Sequence, residues 1–113
     1  PRVKHAIKNK EKAMYIAITQ DLARGFGPWK EMFDGFDVAA MKADMGISLV
    51  FAGPHQDDDN KMIVILEFDS PEGLQKFAAN EDLKAARAAA GVILDSVVVT
   101  VMGEKSMREE SMP

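Results

Sequence analysis

Two apolar runs separated by a polar stretch form the central pattern of the sequence. Residues 46–53 and 61–68 are rich in β-branched and aromatic side chains, which favour strands, and residues 54–60 between them are rich in turn formers. The sequence therefore predicts a β-hairpin. Its second strand is apolar at every position from Met62 to Leu66, whereas a strand buried on one face alone would alternate. We therefore expect both faces of the hairpin to be covered.

The segment before the hairpin predicts one strand and one helix. Residues 13–19 alternate so that Met14, Ile16 and Ile18 fall on one face of a strand. From Trp29 the apolar side chains recur at helical spacing. Pro28 is expected in the first helical position and Gly46 at the end of the helix, with a kink or a close contact between helix and sheet near Gly35.

The segment after the hairpin predicts a second helical region and a last strand. Ser70 is expected to cap a helix whose first residue is Pro71, and Asn80 to begin a short alanine-rich helix that ends at Gly91. Residues 95–102 are too rich in β-branched side chains to prefer a helix, so they are predicted to form the closing strand.

The order of these elements, β-α-β-β-α-β, predicts an α+β fold with a ferredoxin-like antiparallel sheet and two helices on one face. The other face of such a sheet would expose apolar side chains, among them Ile63, Ile65, Val97 and Val99. Burial of that surface favours association. We therefore expect a homodimer through the open sheet face, in which two sheets form a dimeric α+β barrel.

Composition excludes several classes of protein. The chain of 113 residues has no cysteine, which excludes disulfides and thiolate metal sites. Its formal net charge of −4 argues against nucleic acid as a partner. No apolar run approaches the roughly 20 residues of a membrane-spanning helix. We expect a cytoplasmic protein with no membrane partner.

Charge and hydrophobic periodicity together divide the chain into three regions. Residues 1–12 carry an excess of basic side chains and are interpreted as a basic N-terminal arm or a short extra strand. Residues 13–102 hold the predicted domain. Residues 103–113 are polar and without periodicity, and they are expected to form a mobile C-terminal tail.

Several segments within residues 13–102 resemble the dimeric α+β-barrel superfamily, in particular its small uncharacterised members that are similar to antibiotic-biosynthesis monooxygenases. The resemblance lies in residues 26–33, 46–48, 58–64, 67–72 and 88–92. It implies the fold described above. The superfamily includes cofactor-independent monooxygenases, cyclases, isomerases and haem-degrading enzymes, so the resemblance implies no single reaction. Haem-degrading relatives need an axial histidine, and no histidine falls at a comparable position here.

The same resemblance implies a pocket between the first helix and the sheet. Trp29, Phe33 and Tyr15 are then the candidate substrate-binding residues, as an aromatic wall for a planar apolar compound. Tyr15 is also a candidate catalytic residue, since its hydroxyl could donate a hydrogen bond to an oxyanion. The alternative for Trp29 and Phe33 is a purely structural place in the core.

Two further residues are candidates for acid–base chemistry. His55 lies in the hairpin loop near Asp57, Asp58 and Asp59, but consecutive aspartates in an extended chain do not converge, so no metal site is predicted. Glu67 would become a candidate base if its strand end were buried. Its place one residue before the end of the strand favours an exposed position.

These observations lead to two hypotheses of function. The first is a homodimer that binds or transforms a small, largely apolar organic compound without metal or prosthetic group, in the manner of a cofactor-independent monooxygenase or an isomerase or cyclase. The alternative is a non-enzymatic assembly module or regulatory ligand-binding module. A filled space between the first helix and the sheet would remove the site that the first hypothesis needs.

Overall fold

The computed structural model describes residues 13–103. The predicted basic arm at residues 1–12 lies outside the described residues, as does the predicted tail beyond residue 103. The described residues form four strands and four helices. In chain order they are β1 (Met14–Leu22), α1 (Phe26–Asp34), α2 (Val38–Met45), β2 (Ile47–His55), β3 (Asp58–Phe68), α3 (Pro71–Ala79), α4 (Glu81–Ala89) and β4 (Val92–Val101).

The four strands form one antiparallel sheet in the order β2-β3-β1-β4. The first and last strands of the chain thus lie side by side, and the hairpin predicted around residues 54–60 pairs β2 with β3. This topology confirms the predicted α+β, ferredoxin-like fold. None of the described helices, the longest of which have nine residues, is long and apolar enough to cross a lipid bilayer.

Each predicted helical region consists of two short helices. The first is interrupted after Asp34, because the Asp37 side chain accepts a hydrogen bond from the backbone N–H of Ala40 and so starts α2 as a separate helix. The structure thus has a full break where the sequence predicted a kink at Gly35. The second region is interrupted as predicted, since Asn80 accepts a hydrogen bond from Leu83 N–H.

Other predicted helix ends are also confirmed. Ser70 caps α3 through a hydrogen bond from Gly73 N–H, and Gly46 ends α2 in the left-handed conformation with φ 63°. The start of α1 differs from the prediction, because the helix begins at Phe26 and Pro28 is its third residue.

The core lies between the helices and one face of the sheet. On β1, Ile16, Ile18 and Leu22 are buried on this face, and on β3 the buried residues alternate from Met62 to Phe68. Their alternation follows from the two-residue period of a strand. The continuous apolar run on β3 therefore contributes to both faces, with its half-buried residues on the other side.

No helix among residues 13–103 packs on the other face of the sheet, here called the open face. Strand pairing places on it Tyr15, Ala17, Thr19, Ser48, Phe51, Ile63, Ile65, Glu67, Val98 and Thr100. Phe51 and Val98 are 54% and 57% exposed. The residues from β4 differ from those expected: Val99 pairs with Ile18, so Val97 and Val99 point to the helical side, and Val98 faces the open side.

Candidate functional site

An aromatic stack runs along the face of α1 that packs on the sheet. Phe26, Trp29 and Phe33 recur at three- and four-residue spacing, which places them on the same side of the helix. The rings of Trp29 and Phe33 lie 5.5 Å apart and are inclined by only 7°, and those of Phe26 and Trp29 lie 5.7 Å apart. Phe36 extends the stack edge-on to Phe33. The stack forms an apolar wall opposite the sheet.

The start of this helix is fixed by the hairpin end. A carboxylate oxygen of Asp59 accepts a hydrogen bond of 3.0 Å from Phe26 N–H, and Asn60 donates one of 2.6 Å to the carbonyl of Leu22. Gly25 passes so close to the Asp59 carboxylate that a Cβ atom there would collide with it, and its φ of 82° also favours glycine. The polar hairpin residues therefore position the aromatic helix.

A cleft separates the aromatic wall from the sheet. About 50 Å³ of it is open to the centre of a water molecule, which corresponds to a few waters at roughly 10–15 Å³ each. The cleft is therefore narrow but not filled. Its lining comes from the sheet, from α1 and α2, and from the second pair of helices: Ile18, Gln20, Trp29, Met32, Phe33, Phe36, Val38, Met41, Ile47, Leu49, Val64, Leu66, Phe77, Leu83 and Arg87.

Gln20 and Arg87 are the polar residues of this lining. Gln20 is only 3% exposed, and its Oε1 accepts a hydrogen bond of 3.0 Å from Nη2 of Arg87. Its Nε2 donates to the sulfur of Met62 at 3.4 Å, and a thioether is a weak acceptor. A buried amide and a guanidinium thus face an otherwise apolar cleft.

The environment of Arg87 disfavours its charge. Burial of the guanidinium lowers the pKa of Arg87 from its ordinary value. No ion pair with a carboxylate compensates for this burial within the described part of the chain. Its side-chain partner is the neutral amide of Gln20.

A second groove, with about 500 Å³ open to the centre of a water molecule, lies beside Arg87, between the second pair of helices and β4. Arg87 lines this groove as well as the cleft. Lys84, one turn earlier on α4, lines the groove but not the cleft. The guanidinium therefore stands next to both openings.

The structure separates the aromatic residues that the sequence grouped together. Trp29 and Phe33 line the cleft. Tyr15 lies on the open face, where it pairs across the strands with Glu67. Tyr15 therefore does not share a wall with Trp29 and Phe33, since neighbouring residues of a strand point to opposite faces. Glu67 is half-buried on the same open face.

His55 lies at the exposed end of β2, far along the hairpin from the cleft lining. Its Nδ1 accepts a hydrogen bond from Asp57 N–H in the tight turn at residues 56–57. The turn is shorter than the predicted loop because the strands extend to His55 and from Asp58. Within residues 13–103, no three His, Cys, Asp or Glu side chains are grouped so that they could hold a metal ion.

Sequence reasoning missed Gln20 and Arg87. The predicted strand ends at residue 19, one position before Gln20, whereas β1 continues to Leu22. The sequence does contain a signal for Gln20, because it follows Ile16 and Ile18 at the two-residue period of a strand. A strand that continues to Leu22 therefore places the Gln20 side chain on the same inward face. Arg87 lies four residues after Leu83, which also lines the cleft, and so falls on the same helical face.

The fold is that of the ferredoxin-like proteins similar to antibiotic-biosynthesis monooxygenases, as comparison with solved structures shows. SnoaB, a cofactor-independent oxygenase from Streptomyces nogalater, matches in a mutant form with a TM-score of 0.60 and 12% identity, over 87% of this chain and 98% of that one. A dimeric ferredoxin-like protein from an uncultured marine organism matches with a TM-score of 0.57 and 15% identity, over 89% and 96%. A nipsnap family protein with unknown function from Agrobacterium tumefaciens has a TM-score of 0.57 and 16% identity, over 81% and 87%.

Sequence comparison identifies the family itself. The chain belongs to the family described as domain of unknown function DUF3764, whose model matches residues 15–104. No curated protein matches the sequence. At identities of 12–16%, the structural similarities establish the fold and leave the activity to be argued from the cleft.

Proposed function

We propose that this protein is a homodimer that binds a small, flat, largely apolar organic compound in the cleft between α1 and the sheet. The observation that carries the proposal is the aromatic wall of Trp29 and Phe33 beside unfilled space. Ligand sites are typically concave, mostly apolar and furnished with a few polar groups that fix orientation. Gln20 and Arg87 supply such groups here.

The narrowness of the cleft favours a compound that enters by displacing adaptable side chains. Met32 and Phe33 are half-buried rather than fixed in the core. Methionine adapts to irregular partners because its unbranched side chain rotates about three bonds. A planar compound could then stack on the aromatic wall in the manner of one more ring.

The chemistry available in the cleft leads us to two alternatives. A bound compound is either transformed, as by a cofactor-independent monooxygenase, an isomerase or a cyclase, or held unchanged by a regulatory or assembly module. Among the described residues, the cleft lining contains no histidine, carboxylate, hydroxyl or lysine. Acid–base catalysis needs such a group within reach of the substrate. This observation favours the binding module.

The homodimer is proposed to form through the open face. Apolar side chains such as Phe51, Ile63, Ile65 and Val98 form a contiguous area there, and burying them in a second copy would remove them from water. The solved protein from an uncultured marine organism that shares this fold is described as dimeric. In a two-fold dimer the open face of each subunit would be buried against the open face of the other.

Native mass spectrometry of the freshly purified protein tests both parts of the proposal. We expect a dimer at gentle activation and, on ramping to denaturing conditions, release of a small organic mass. A monomer at micromolar concentration would contradict the pairing of open faces. Incubation of the protein with the released compound in air, followed by mass analysis, then separates the alternatives: an altered compound supports an enzyme, and an unchanged one supports a binding module.

A Phe33→Ala variant provides the control for the site. Ligand released from the wild-type protein but not from this variant places the compound in the cleft. Equal release from both would indicate another site and contradict the proposed one.

A further inference from the structure

We propose that the compound held in the cleft is an ionised hydrophobic carboxylic acid, whose carboxylate is bound by Arg87 and Gln20 while its apolar body lies against Trp29 and Phe33. This inference rests on the proposed function and narrows its ligand to one chemical class. It follows from the contacts of two polar residues in a cleft that is otherwise apolar.

The first step concerns the guanidinium. An arginine carries five N–H donors, and in this structure its side-chain bond within the cleft goes to one neutral acceptor, Oε1 of Gln20. No carboxylate of the described chain forms an ion pair with Arg87. A half-buried cation is usually paired with an anion, because burial alone disfavours its charge. A ligand carboxylate would be that anion.

The second step concerns Gln20. Its Oε1 holds the guanidinium, so the planar group of Arg87 is fixed beside the cleft before a ligand arrives. Its Nε2 donates one N–H to the Met62 sulfur, which is a weak acceptor. The second N–H of Nε2 can donate to a carboxylate oxygen of the ligand while Oε1 keeps its bond to the guanidinium.

The third step concerns geometry. Arg87 lines both the apolar cleft and the larger groove beside β4, so an acidic group bound there lies next to both openings. The body of the compound can then fill the cleft while its charged end remains near water. The two oxygens of a carboxylate also match the fork of N–H groups on a guanidinium, so the pair can form two parallel hydrogen bonds.

The test compares one acid with its uncharged isostere. Isothermal titration calorimetry of the full chain with cinnamate and with cinnamamide measures the contribution of the charge, because the two compounds have nearly the same shape. We expect cinnamate to bind at least about tenfold more tightly than cinnamamide, since only the carboxylate brings an opposite charge and two equivalent acceptor oxygens to the guanidinium. Equal affinities would overturn this inference and leave the proposed function intact.

Variants of α4 test whether the preference for cinnamate over cinnamamide depends on Arg87. Arg87→Met should remove the preference for cinnamate, so that the two compounds bind with nearly the same affinity. Lys84→Met is the matched control: it removes a cation one turn away that lines the groove but not the cleft, and should keep the preference. An equal loss in both variants would indicate general attraction to the charge of α4 and overturn the assignment.

Two further measurements keep the outcomes distinct. Circular dichroism verifies the fold of Arg87→Met, and Arg87→Gln replaces it if that variant does not fold, because glutamine keeps a polar group without the charge. Phe33→Ala should weaken both compounds alike. Absence of binding by either compound to the wild-type chain would contradict the proposed function and this inference together.

Discussion

Nη2 of Arg87 donates a hydrogen bond of 3.0 Å to Oε1 of Gln20, 67 positions earlier in the sequence. This bond joins α4 to the C-terminal part of β1, so it connects the helical layer to the sheet. Because Gln20 is buried, each partner depends on the other for its hydrogen bonding.

The mutual dependence of this pair predicts a non-additive response to substitution. Gln20→Leu should lower the free energy of unfolding by about 1–3 kcal/mol, because it leaves the half-buried guanidinium without its acceptor. Urea denaturation followed by circular dichroism measures this change. The double variant Gln20→Leu with Arg87→Met should cost less than the sum of the single variants, by about 0.5–3 kcal/mol. Strict additivity would show that the hydrogen bond contributes nothing to stability.

The two stacked rings on α1 should respond differently to truncation. Trp29 is 5% exposed, so Trp29→Ala should lower the free energy of unfolding by about 3–5 kcal/mol as a core truncation. Phe33 is half-buried at the cleft, so Phe33→Ala should cost less stability and weaken ligand binding more. Chemical denaturation and calorimetric titration of both variants measure the contrast. Equal stability losses without any loss of binding would place Phe33 in the core alone.

The fold could be predicted from the sequence because its signals are local and agree with one another. The apolar runs, the caps at Ser70 and Asn80 and the left-handed Gly46 each mark an element end. Together they define the element order β-α-β-β-α-β, which is that of a ferredoxin-like fold. The break at Asp37 was missed because the apolar spacing of α1 and α2 continues across it, and the cap needs only a short polar side chain.

The site could be predicted only in part. The face of α1 is readable from its period, so Trp29 and Phe33 were placed correctly beside the sheet, and the structure shows that they line the cleft. The face of the sheet on which Tyr15 lies could not be predicted without the strand register, because a shift by one position moves a side chain to the opposite face. The pairing of Gln20 with Arg87 joins two distant segments, and no spacing rule connects them.

The packing of α3 against α2 predicts a strict requirement for glycine at position 73. A Cβ atom on Gly73 would collide with the backbone carbonyl oxygen of Met45, which cannot move without shifting the end of α2. Gly73→Ala should therefore lower the free energy of unfolding by about 1–3 kcal/mol, as overpacked substitutions do. Thermal and urea denaturation measure the loss.

Gly27 provides the control for this substitution. It lies in the first turn of α1, and a Cβ atom there meets nothing within 4 Å. Gly27→Ala should leave stability unchanged or raise it by about 0.4–1 kcal/mol, through the lower entropy of the unfolded chain. Similar losses at both positions would show that the effect does not come from the contact with Met45.

The open face predicts which substitution should dissociate the proposed homodimer. Phe51 is 54% exposed and lies on the open face opposite Ile65, so Phe51→Asp would bury an unpaired charge in the proposed interface. We expect this variant to sediment as a monomer at micromolar concentrations at which the wild type is a dimer. Val101→Asp is the matched control, because Val101 is 52% exposed but pairs with Ile16 on the helical side of the sheet. It should remain dimeric. A dimer that survives Phe51→Asp, or one that is lost equally in both variants, would mean that the two copies do not meet through the open face.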